Sequence, residues 1–411
     1  MTDLVAPVVV GARLTCHQLP FREPLLLQAG VREQEGRQSL SRPHTLRKFA
    51  LLELQLSGGY LAIGELAPLP GFSEESLDQA IPQLFQIVKK IISCRCEATV
   101  CGVSRQFPEF KDCYPSVQFA IEMALVACAE KARQVPDAQQ QSHTMPVKTA
   151  VLLKPVAGII VGPNADDFRK APNSDIIVDA GFTLGKGRER FDRGTSAIQG
   201  REPLPFGQFE TIKTETIKLK VARESNNPQS VGKLINDLQH YVAVNPEVTF
   251  RIDVNQGWSY AQAQEFTQLC KGLPVDFIEE PCRDLRDNIK LLEHGCPVAL
   301  DETLQHKAGL HPFQFAGFSV PWVACIFKPT LMGGQHGCQP WIDYCQANGV
   351  RVVVSSSFES PLGLSYLARL AGHWAPDEVH GLDTLDAFTA ADISSFYAGN
   401  IPDNGLLQWT I

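Results

Sequence analysis

Residues 248–281 are VTFRIDVNQGWSYAQAQEFTQLCKGLPVDFIEEP, a stretch that combines two kinds of periodicity. The apolar, β-branched runs 248–254 and 275–278 have the composition of buried strands. Between them, Ser259 and Gln262 have the spacing of a capping box, and apolar residues at helical spacing follow. The stretch therefore predicts one strand–helix–strand unit.

The same unit recurs along the C-terminal two thirds of the chain. Eight short apolar runs occur there, with amphipathic helical patterns between several of them: 149–153, 216–221, 248–254, 275–278, 298–300, 323–327, 351–354 and 379–382. This alternation predicts a (β/α)8 barrel, with an open, doubly wound sheet as the competing α/β fold. No G-x-G-x-x-G follows any of the runs, which argues against a dinucleotide-binding sheet.

The first third of the chain has a different pattern. Leucines alternate with polar residues over 52–56 before the turn Ser57-Gly58-Gly59, which predicts an antiparallel hairpin. Apolar residues at helical spacing predict helices over 77–91 and 117–132. Segment 64–72 is rich in Pro and Gly, which predicts a loop. The first third is therefore expected to be α+β.

Composition and charge exclude several classes of function. The 411 residues carry 37 Lys and Arg against 45 Asp and Glu, a formal net charge of −8, so no global basic field attracts nucleic acid or anionic lipid. No run of 18 apolar residues occurs, and the first residues lack a secretory signal. The 12 scattered Cys are typical of reduced thiols. We therefore expect a cytoplasmic protein without a membrane or nucleic-acid partner.

Five charged residues end five successive predicted strands. In chain order they are Lys220, Asp253, Glu279, Asp301 and Lys328. Reactive groups of a barrel lie at the C-terminal ends of its strands, so these side chains are predicted to surround one opening. A single acidic residue after a strand is more often a helix cap or a turn residue. Five consecutive strand ends favour a functional site over separate caps.

The chemistry of this set indicates a metal-assisted site. Three converging carboxylates without a cation would repel one another, and their hard oxygen atoms suit Mg²⁺ or Mn²⁺ rather than Zn²⁺. Lys218 and Lys220 point to the same face of their strand, because side chains alternate along a strand. Lysines on opposite sides of a metal-bound carboxylate suit removal of the proton next to it. Lys220 is the predicted base.

The chain resembles the enolase superfamily and, within it, the o-succinylbenzoate synthases of menaquinone biosynthesis. The resemblance runs over most of the chain and rests on residues 64–72, Lys218-x-Lys220, Arg251-x-Asp253-x-Asn255, Glu279-Glu280-Pro281, Asp301-Glu302, Lys328-Pro329-Thr330, residues 355–363 and Gly381-Leu382-Asp383-Thr384-Leu385. The lysine and carboxylate set indicates the superfamily. Segment 64–72 and the last two motifs separate the narrower family from its relatives.

The resemblance implies a fold and a domain organisation. The fold would be a (β/α)7β modified TIM barrel with an N-terminal α+β capping domain. The capping domain would comprise residues 1–147, completed by the C-terminal tail 385–411. The barrel would comprise residues 148–384, with an insertion at about 155–210. The polar segment 136–143 lies just before this boundary.

The resemblance also implies roles for individual residues. Mg²⁺, or Mn²⁺ in its place, would be held by Asp253, Glu279 and Asp301. Lys220 would remove the proton and then protonate the departing hydroxyl, and Lys328 would stabilise the enediolate. The substrate-binding residues would be Lys218, Arg251, Asn255, Ser355 and Ser356. Loops of the capping domain at 19–35 and 64–72 would supply substrate specificity.

The implied activity is that of a carbon–oxygen lyase acting on a small-molecule carboxylate. The reaction would be the Mg²⁺-dependent syn-dehydration of 2-succinyl-6-hydroxy-2,4-cyclohexadiene-1-carboxylate to o-succinylbenzoate and water. Two opposed lysines suit an N-acylamino acid racemase or a dipeptide epimerase of the same superfamily equally well. A barrel that binds a metabolite without catalysis is a third hypothesis, which would not require all five charged positions to be filled. The oligomeric state stays open.

Overall fold

The structure is a computed structural model of the chain. It describes residues 8–25, 43–57, 59–94, 99–133, 147–153, 211–221, 228–305, 312–315, 321–397 and 408–410. These residues form an antiparallel sheet with helices, followed by a barrel of parallel strands. In this part of the chain, no helix has both the length and the apolar character needed to cross a membrane.

The first part, here called the cap, comprises the described residues within 8–133 together with 408–410. Its antiparallel sheet has the order β12-β1-β2-β3 and consists of β1 (Val9–Leu25), β2 (His44–Leu56), β3 (Leu61–Leu66) and β12 (Gln408–Thr410). The described helices of the cap are α1 (Leu77–Ser93), α2 (Val100–Gln106), the 3-10 helix Pro108–Asp112 and α3 (Pro115–Arg133). The predicted hairpin and both predicted helices are confirmed.

The segment 64–72 differs from its prediction as a loop. Residues 64–66 belong to β3, and irregular backbone begins at Ala67. At Gly64, a Cβ atom would lie 1.9 Å from the carbonyl oxygen of Ala120 on α3. The close approach of α3, rather than a turn, therefore requires glycine at this position.

The second part is a barrel, whose first described strand begins at residue 147. Its described strands, all parallel, are β4 (Val147–Leu153), β5 (Thr211–Lys220), β6 (Thr249–Asp253), β7 (Val275–Glu279), β8 (Val298–Leu300), β9 (Ala324–Phe327), β10 (Arg351–Val354) and β11 (Val379–His380). They are arranged in the order β10-β9-β8-β7-β6-β5-β4-β11. A parallel bridge between Ser355 and Gly381 joins the two edge strands and closes the barrel. All eight predicted runs are confirmed as strands.

Helices alternate with these strands over most of the described barrel. They are α4 (Pro228–Val244), α5 (Tyr260–Leu269), α6 (Leu285–Glu293), α7 (Glu302–Gln305), α8 (Pro329–Met332), α9 (Gly334–Asn348), α10 (Pro361–Trp374) and α11 (Ala390–Tyr397), with 3-10 helices at Pro312–Phe315 and Leu385–Ala387. The predicted capping box is present, because Ser259 and Gln262 each accept a hydrogen bond from the backbone N–H of the other.

The fold class expected from the resemblance, a modified TIM barrel with an N-terminal α+β cap, is confirmed. Residues 134–146 and 154–210, which include the predicted insertion, lie outside the described residues. The domain boundary at 147/148 therefore stays a prediction. In the C-terminal tail, β12 pairs antiparallel with β1 of the cap.

Candidate active site

Five charged residues lie at the carboxyl ends of adjacent barrel strands. Lys220 of β5 is paired with Asp253 of β6, and Asp253 is paired with Glu279 of β7. The pairing of Glu279 with β8 places Asp301 two residues farther along, on the same face. Lys328 directly follows β9. The parallel register therefore brings these residues to one end of the barrel.

Each carboxylate of this group is paired with a lysine. Lys218 Nζ lies 2.6 Å from Glu279 Oε2 and 3.1 Å from Asp253 Oδ2. Lys328 Nζ lies 2.6 Å from both carboxylate oxygens of Asp301. Lys218 thus bridges two neighbouring strand ends, and Lys328 neutralises the third.

Lys220 is the most exposed of the three lysines. Its Nζ lies 3.5 Å from Asp253 Oδ2, and 36% of its side chain is exposed. The corresponding fractions are 10% for Lys218 and 11% for Lys328. An incoming molecule therefore reaches the amino group of Lys220 more easily than the other two.

Burial and neighbouring charge act in opposite directions on these groups. Burial alone would lower the pKa of Lys218, but Asp253 and Glu279 outweigh it, and the pKa lies well above its usual value. Burial would raise the pKa of Asp253, but Lys218 and Lys220 outweigh it and hold the pKa below its usual value. Burial, reinforced by Asp253 and Asp301, raises the pKa of Glu279 despite Lys218. The ammonium groups thus balance carboxylates whose burial is otherwise costly.

The donor set is suited to a hard divalent cation. Asp253, Glu279 and Asp301 offer carboxylate oxygens and are 1%, 2% and 0% exposed. Asp253 Oδ2 is buried and makes no hydrogen bond, as expected of an atom that binds a cation. Within the described residues, no three His, Cys, Asp or Glu side chains are gathered closely enough to hold an ion. The residue types nevertheless fit Mg²⁺, because all three side chains are carboxylates.

Glu280 and Asn255 support the ends of these strands. Glu280 is fully buried, has a φ of 30° and accepts a hydrogen bond from Asp301 N at 2.9 Å. Asn255 donates its backbone N–H to Asp253 Oδ1 at 3.1 Å and its side-chain amide to Glu302 Oε1 at 3.2 Å. Asn255 therefore lies beside the carboxylates, and its contact with substrate stays a prediction.

A cleft at the barrel mouth gathers half of the predicted site residues. It is lined by Lys218, Lys220, Lys328, Ser355, Ser356, Phe358, Gly381, Asp383 and Thr384. The last four were not predicted as site residues, although they lie within motifs used to recognise the family. Their position could have identified them, because they follow the ends of β10 and β11 as the reactive groups of a barrel do.

The hydroxyl of Ser356 is already engaged by its neighbours. It donates to Glu359 Oε2 at 2.6 Å and lies 2.8 Å from Thr384 Oγ1. Ser355 lies at the bridge that closes the barrel. Both serines border the cleft, and their contact with substrate stays a prediction.

Arg251 is not brought to this cleft. Its guanidinium donates to Asp276 Oδ2 at 2.9 Å, to Glu378 Oε1 at 2.8 Å and to the carbonyl of Val379. These partners lie at the starts of β7 and β11, at the opposite end of the barrel from Lys220. Arg251 therefore lies outside the lining of the cleft, and its contact with substrate stays a prediction. A long side chain in a strand can extend toward either end, and ion-pair partners on distant strands determine which.

The predicted specificity loops contribute no residue to the lining of the cleft in the described part of the chain. Residues 19–25 belong to β1, and residues 26–35 lie outside the described residues. Of segment 64–72, the first three residues belong to β3. The specificity role of these loops stays a prediction.

Two family models match the chain. Residues 210–397 match the model described as "Enolase C-terminal domain-like". Residues 40–128 match the model described as "MenC, N-terminal domain". The o-succinylbenzoate synthase of Yersinia pseudotuberculosis serotype O:1b (strain IP 31758) is 29% identical over 377 residues, which are 90% of each chain.

Solved structures share the fold over nearly the whole chain. The dipeptide epimerase of Enterococcus faecalis V583, complexed with Mg and L-Leu-L-Tyr, has a TM-score of 0.65 at 16% identity and covers 92% of this chain and 90% of that chain. The o-succinylbenzoate synthase of Thermosynechococcus elongatus BP-1, with Mg in its active site, has a TM-score of 0.57 at 16% identity and covers 92% and 94%. At these identities the likeness shows the fold alone. With the two family models and the sequence relatives, it follows that this chain belongs to the enolase superfamily, where it is similar to the o-succinylbenzoate synthases.

Proposed function

We propose that this protein is a cytoplasmic o-succinylbenzoate synthase of menaquinone biosynthesis. It would dehydrate 2-succinyl-6-hydroxy-2,4-cyclohexadiene-1-carboxylate to o-succinylbenzoate and water. The observation that carries the proposal is the arrangement of Lys218, Lys220 and Lys328 around one cleft, beside three buried carboxylates. Similarity to an o-succinylbenzoate synthase over 90% of the chain supports this reaction among those that such a site can perform.

The proposed cofactor is Mg²⁺, for which Mn²⁺ could substitute. Asp253, Glu279 and Asp301 would hold it. The bound cation would accept the substrate carboxylate and stabilise the negative charge that develops there. The buried Oδ2 of Asp253, which faces the ammonium groups of Lys218 and Lys220, supports this assignment. So does Mg in the active site of the Thermosynechococcus elongatus relative.

Lys220 is the proposed base and acid, because its side chain is the most exposed of the three lysines. Its amino group would take the proton from the carbon next to the substrate carboxylate. It would then return a proton to the hydroxyl, which leaves as water while the ring gains a double bond. One nitrogen acts in both steps from one side of the substrate, so the elimination would be syn.

Lys218 and Lys328 would supply fixed positive charge. Asp253 and Glu279 outweigh burial and keep the pKa of Lys218 high, so this side chain stays an ammonium. Lys328 follows β9, which three strands separate from the β5 strand of Lys220, so the two lysines face each other across the barrel. From there Lys328 would stabilise the enediolate by its charge.

Two opposed lysines also suit the racemisation of N-acylamino acids and the epimerisation of dipeptides. In those reactions one lysine removes a proton, and the other, as an ammonium, donates its own proton to the opposite face of the carbon. The alternative is therefore a racemase or epimerase of the same superfamily. A substrate panel that includes N-acylamino acids and dipeptides distinguishes it from the synthase.

The test is the loss of cyclohexadiene absorbance with and without Mg²⁺, for the wild type and Lys220→Ala. We expect Mg²⁺-dependent conversion and a fall in kcat of about a thousandfold or more in the variant, because it removes the group that transfers the proton. Lys290→Ala removes an exposed lysine that pairs with Asp287 on α6, and it should keep full turnover.

Near-wild-type turnover by Lys220→Ala would exclude Lys220 as the base. If the folded, Mg²⁺-bound wild type left the cyclohexadiene unchanged but exchanged the α-proton of a dipeptide or an N-acylamino acid, the epimerase or racemase assignment would replace the synthase.

A further inference from the structure

Arg47 is buried where the cap meets the mouth of the barrel. It lies on β2 and is 1% exposed. Its Nε donates to Phe358 O at 2.9 Å, its Nη1 to Pro68 O at 2.7 Å and its Nη2 to Ala67 O at 2.6 Å. One side chain thus joins a strand of the cap, the segment after β3 and a loop of the barrel.

Two buried carboxylates compensate the charge of Arg47. Glu65 and Glu359 are both fully buried, and both act electrostatically on its guanidinium. Glu65 also accepts two backbone N–H groups at the start of α10. Glu359 also accepts the hydroxyl of Ser356, which borders the cleft. Because a buried charge is tolerated only with partners, this cluster holds the guanidinium at one place.

Phe358 lines the cleft and has a constrained backbone. Its φ is +61°, in the left-handed region that a residue with a side chain adopts only at an energetic cost. Its ring packs edge-on against Phe21 of β1, with centroids 5.8 Å apart. Its N–H donates to Ser356 Oγ at 3.1 Å, and its carbonyl accepts the hydrogen bond from Arg47. The strained conformation persists because both sides of the residue are held.

We propose that Arg47 is a positioning residue that shapes the substrate cleft through Phe358. By holding the Phe358 carbonyl, it maintains the left-handed turn that places the ring and the neighbouring serines along one wall of the cleft. A cap residue outside the lining of the cleft thus controls how tightly the substrate fits. The kinetic test of this inference rests on the proposed function, whereas its structural test does not.

The structural test is amide hydrogen exchange over residues 355–360 in the wild type, Arg47→Met and Arg47→Lys. Methionine loses every donor, and lysine keeps the charge but loses the planar fork that reaches four carbonyls. We expect faster exchange over 355–360 in both variants. The control Leu54→Ala removes a fully buried side chain from the same strand and should leave this segment protected.

Unchanged exchange in the Arg47 variants would overturn the proposal, as would equal acceleration in Leu54→Ala. If Arg47→Met does not fold, the exchange rate over residues 355–360 in Arg47→Lys tests the proposal by itself.

The kinetic test separates binding from turnover. We expect Arg47→Met to raise KM about tenfold and to change kcat by less than about threefold, because the cleft wall contacts the substrate in its ground state and transition state alike. Phe358→Gly removes the ring and frees φ, so it should raise KM by itself. Adding Arg47→Met to Phe358→Gly should then have little further effect, because both changes act on one wall.

A fall in kcat at constant KM, or effects on KM that multiply in the double variant, would show that Arg47 does not act through Phe358. A wild type that leaves the cyclohexadiene unchanged would refute the proposed function. The exchange measurement would still decide the role of Arg47.

Discussion

Asp253 has two carboxylate oxygens in different surroundings. Oδ1 accepts the backbone N–H of Asn255 at 3.1 Å and is thereby held in place. Oδ2 makes no hydrogen bond and lies 3.1 Å from Lys218 Nζ and 3.5 Å from Lys220 Nζ. The backbone therefore orients the side chain so that one oxygen is presented to cations at the barrel mouth.

We predict that Asp253→Asn weakens Mg²⁺ binding by about a hundredfold or more, because an uncharged amide replaces an anionic ligand. Calorimetric titration of Mg²⁺ into both proteins measures the change. Asp276→Asn is the matched control, since it alters a carboxylate at the other end of the barrel that pairs with Arg251. Equal affinity in Asp253→Asn and the wild type would remove Asp253 from the ligand set.

An ion-pair network joins the starts of several barrel strands. Asp276 on β7 and Glu378 before β11 each pair with both Arg251 and Arg351. The two guanidinium groups also lie over the ring of Phe277, at 4.6 and 5.5 Å from its centroid. Two cations and two carboxylates thus close this end of the barrel with balanced charge.

We predict that Arg251→Met lowers the free energy of unfolding by about 3 kcal/mol, because it leaves two partly buried carboxylates short of a partner. It should leave KM unchanged, because Arg251 lies away from the cleft. Urea denaturation and steady-state kinetics measure the two quantities. Arg286→Met removes an arginine whose side chain is 86% exposed and serves as the control. A raised KM and an unchanged free energy of unfolding in Arg251→Met would instead indicate that Arg251 contacts the substrate.

His380 links β11 to β10 where the barrel closes. Its Nδ1 accepts the backbone N–H of Val354 at 3.0 Å, and its Nε2 lies 3.0 Å from the carbonyl oxygen of Ala375. Since Nδ1 accepts, the ring proton lies on Nε2 and the imidazole is neutral. Burial lowers the pKa of His380 to about 4. Both the contacts and the burial therefore favour the uncharged ring.

Acid should weaken this closure. Above about pH 6.5 the imidazole of His380 is neutral in the folded and in the unfolded protein. Between about pH 6.5 and pH 4 the imidazole is protonated in the unfolded protein but stays neutral in the folded protein. The free energy of unfolding should therefore fall by about 2 kcal/mol between pH 7 and 5 on account of this group. Urea denaturation at both pH values measures this fall in the wild type and in His380→Gln. The free energy of unfolding of the variant should fall less, because the variant lacks the titrating imidazole. An identical loss in both proteins would assign the acid sensitivity to other groups.

The cap and the barrel are joined through the starts of two helices. Glu65 of β3 accepts backbone N–H groups at the start of α10. Glu122 of α3 accepts hydrogen bonds from two backbone N–H groups at the start of α9 and from the hydroxyl of Tyr366. Negative charge is stabilised at the N-terminal end of a helix. Because both carboxylates belong to the cap and both helices to the barrel, these contacts couple the two parts.

We predict that Glu122→Ala lowers the free energy of unfolding by about 3 kcal/mol, because several buried donors lose their acceptor. It should also separate the unfolding of the cap from that of the barrel. Tryptophan fluorescence follows mainly the barrel, which contains Trp258, Trp322, Trp341 and Trp374, whereas far-UV circular dichroism follows both parts. The two urea transitions should coincide in the wild type and diverge in the variant.

Glu109→Ala is the control for this measurement, since it removes an exposed cap carboxylate that pairs with Lys90. It should keep a single transition. Coincident transitions in Glu122→Ala would mean that the coupling of cap and barrel does not depend on this residue.

The strands of the barrel and the charged residues at the ends of five of them could be predicted from the amino-acid sequence alone. Buried parallel strands are short apolar runs, and a capping box such as Ser259 and Gln262 is a local signal, so both could be predicted. Lys220, Asp253 and Glu279 could be grouped because parallel strands place their carboxyl ends together. Each of these inferences uses residues close in the chain or a rule that applies to every barrel.

The folded structure was needed to show which way Arg251 extends, why residue 64 is a glycine and which residues complete the cleft. It also revealed Arg47, which contacts Phe358 from 311 residues away, and Glu65, which contacts Ser360 from 295 residues away. Local sequence carries periodicity and residue chemistry, but it does not specify which distant segment will pack against a given side chain. That choice arises when the cap and barrel close on each other, because burial then requires each charge and each donor to find a partner.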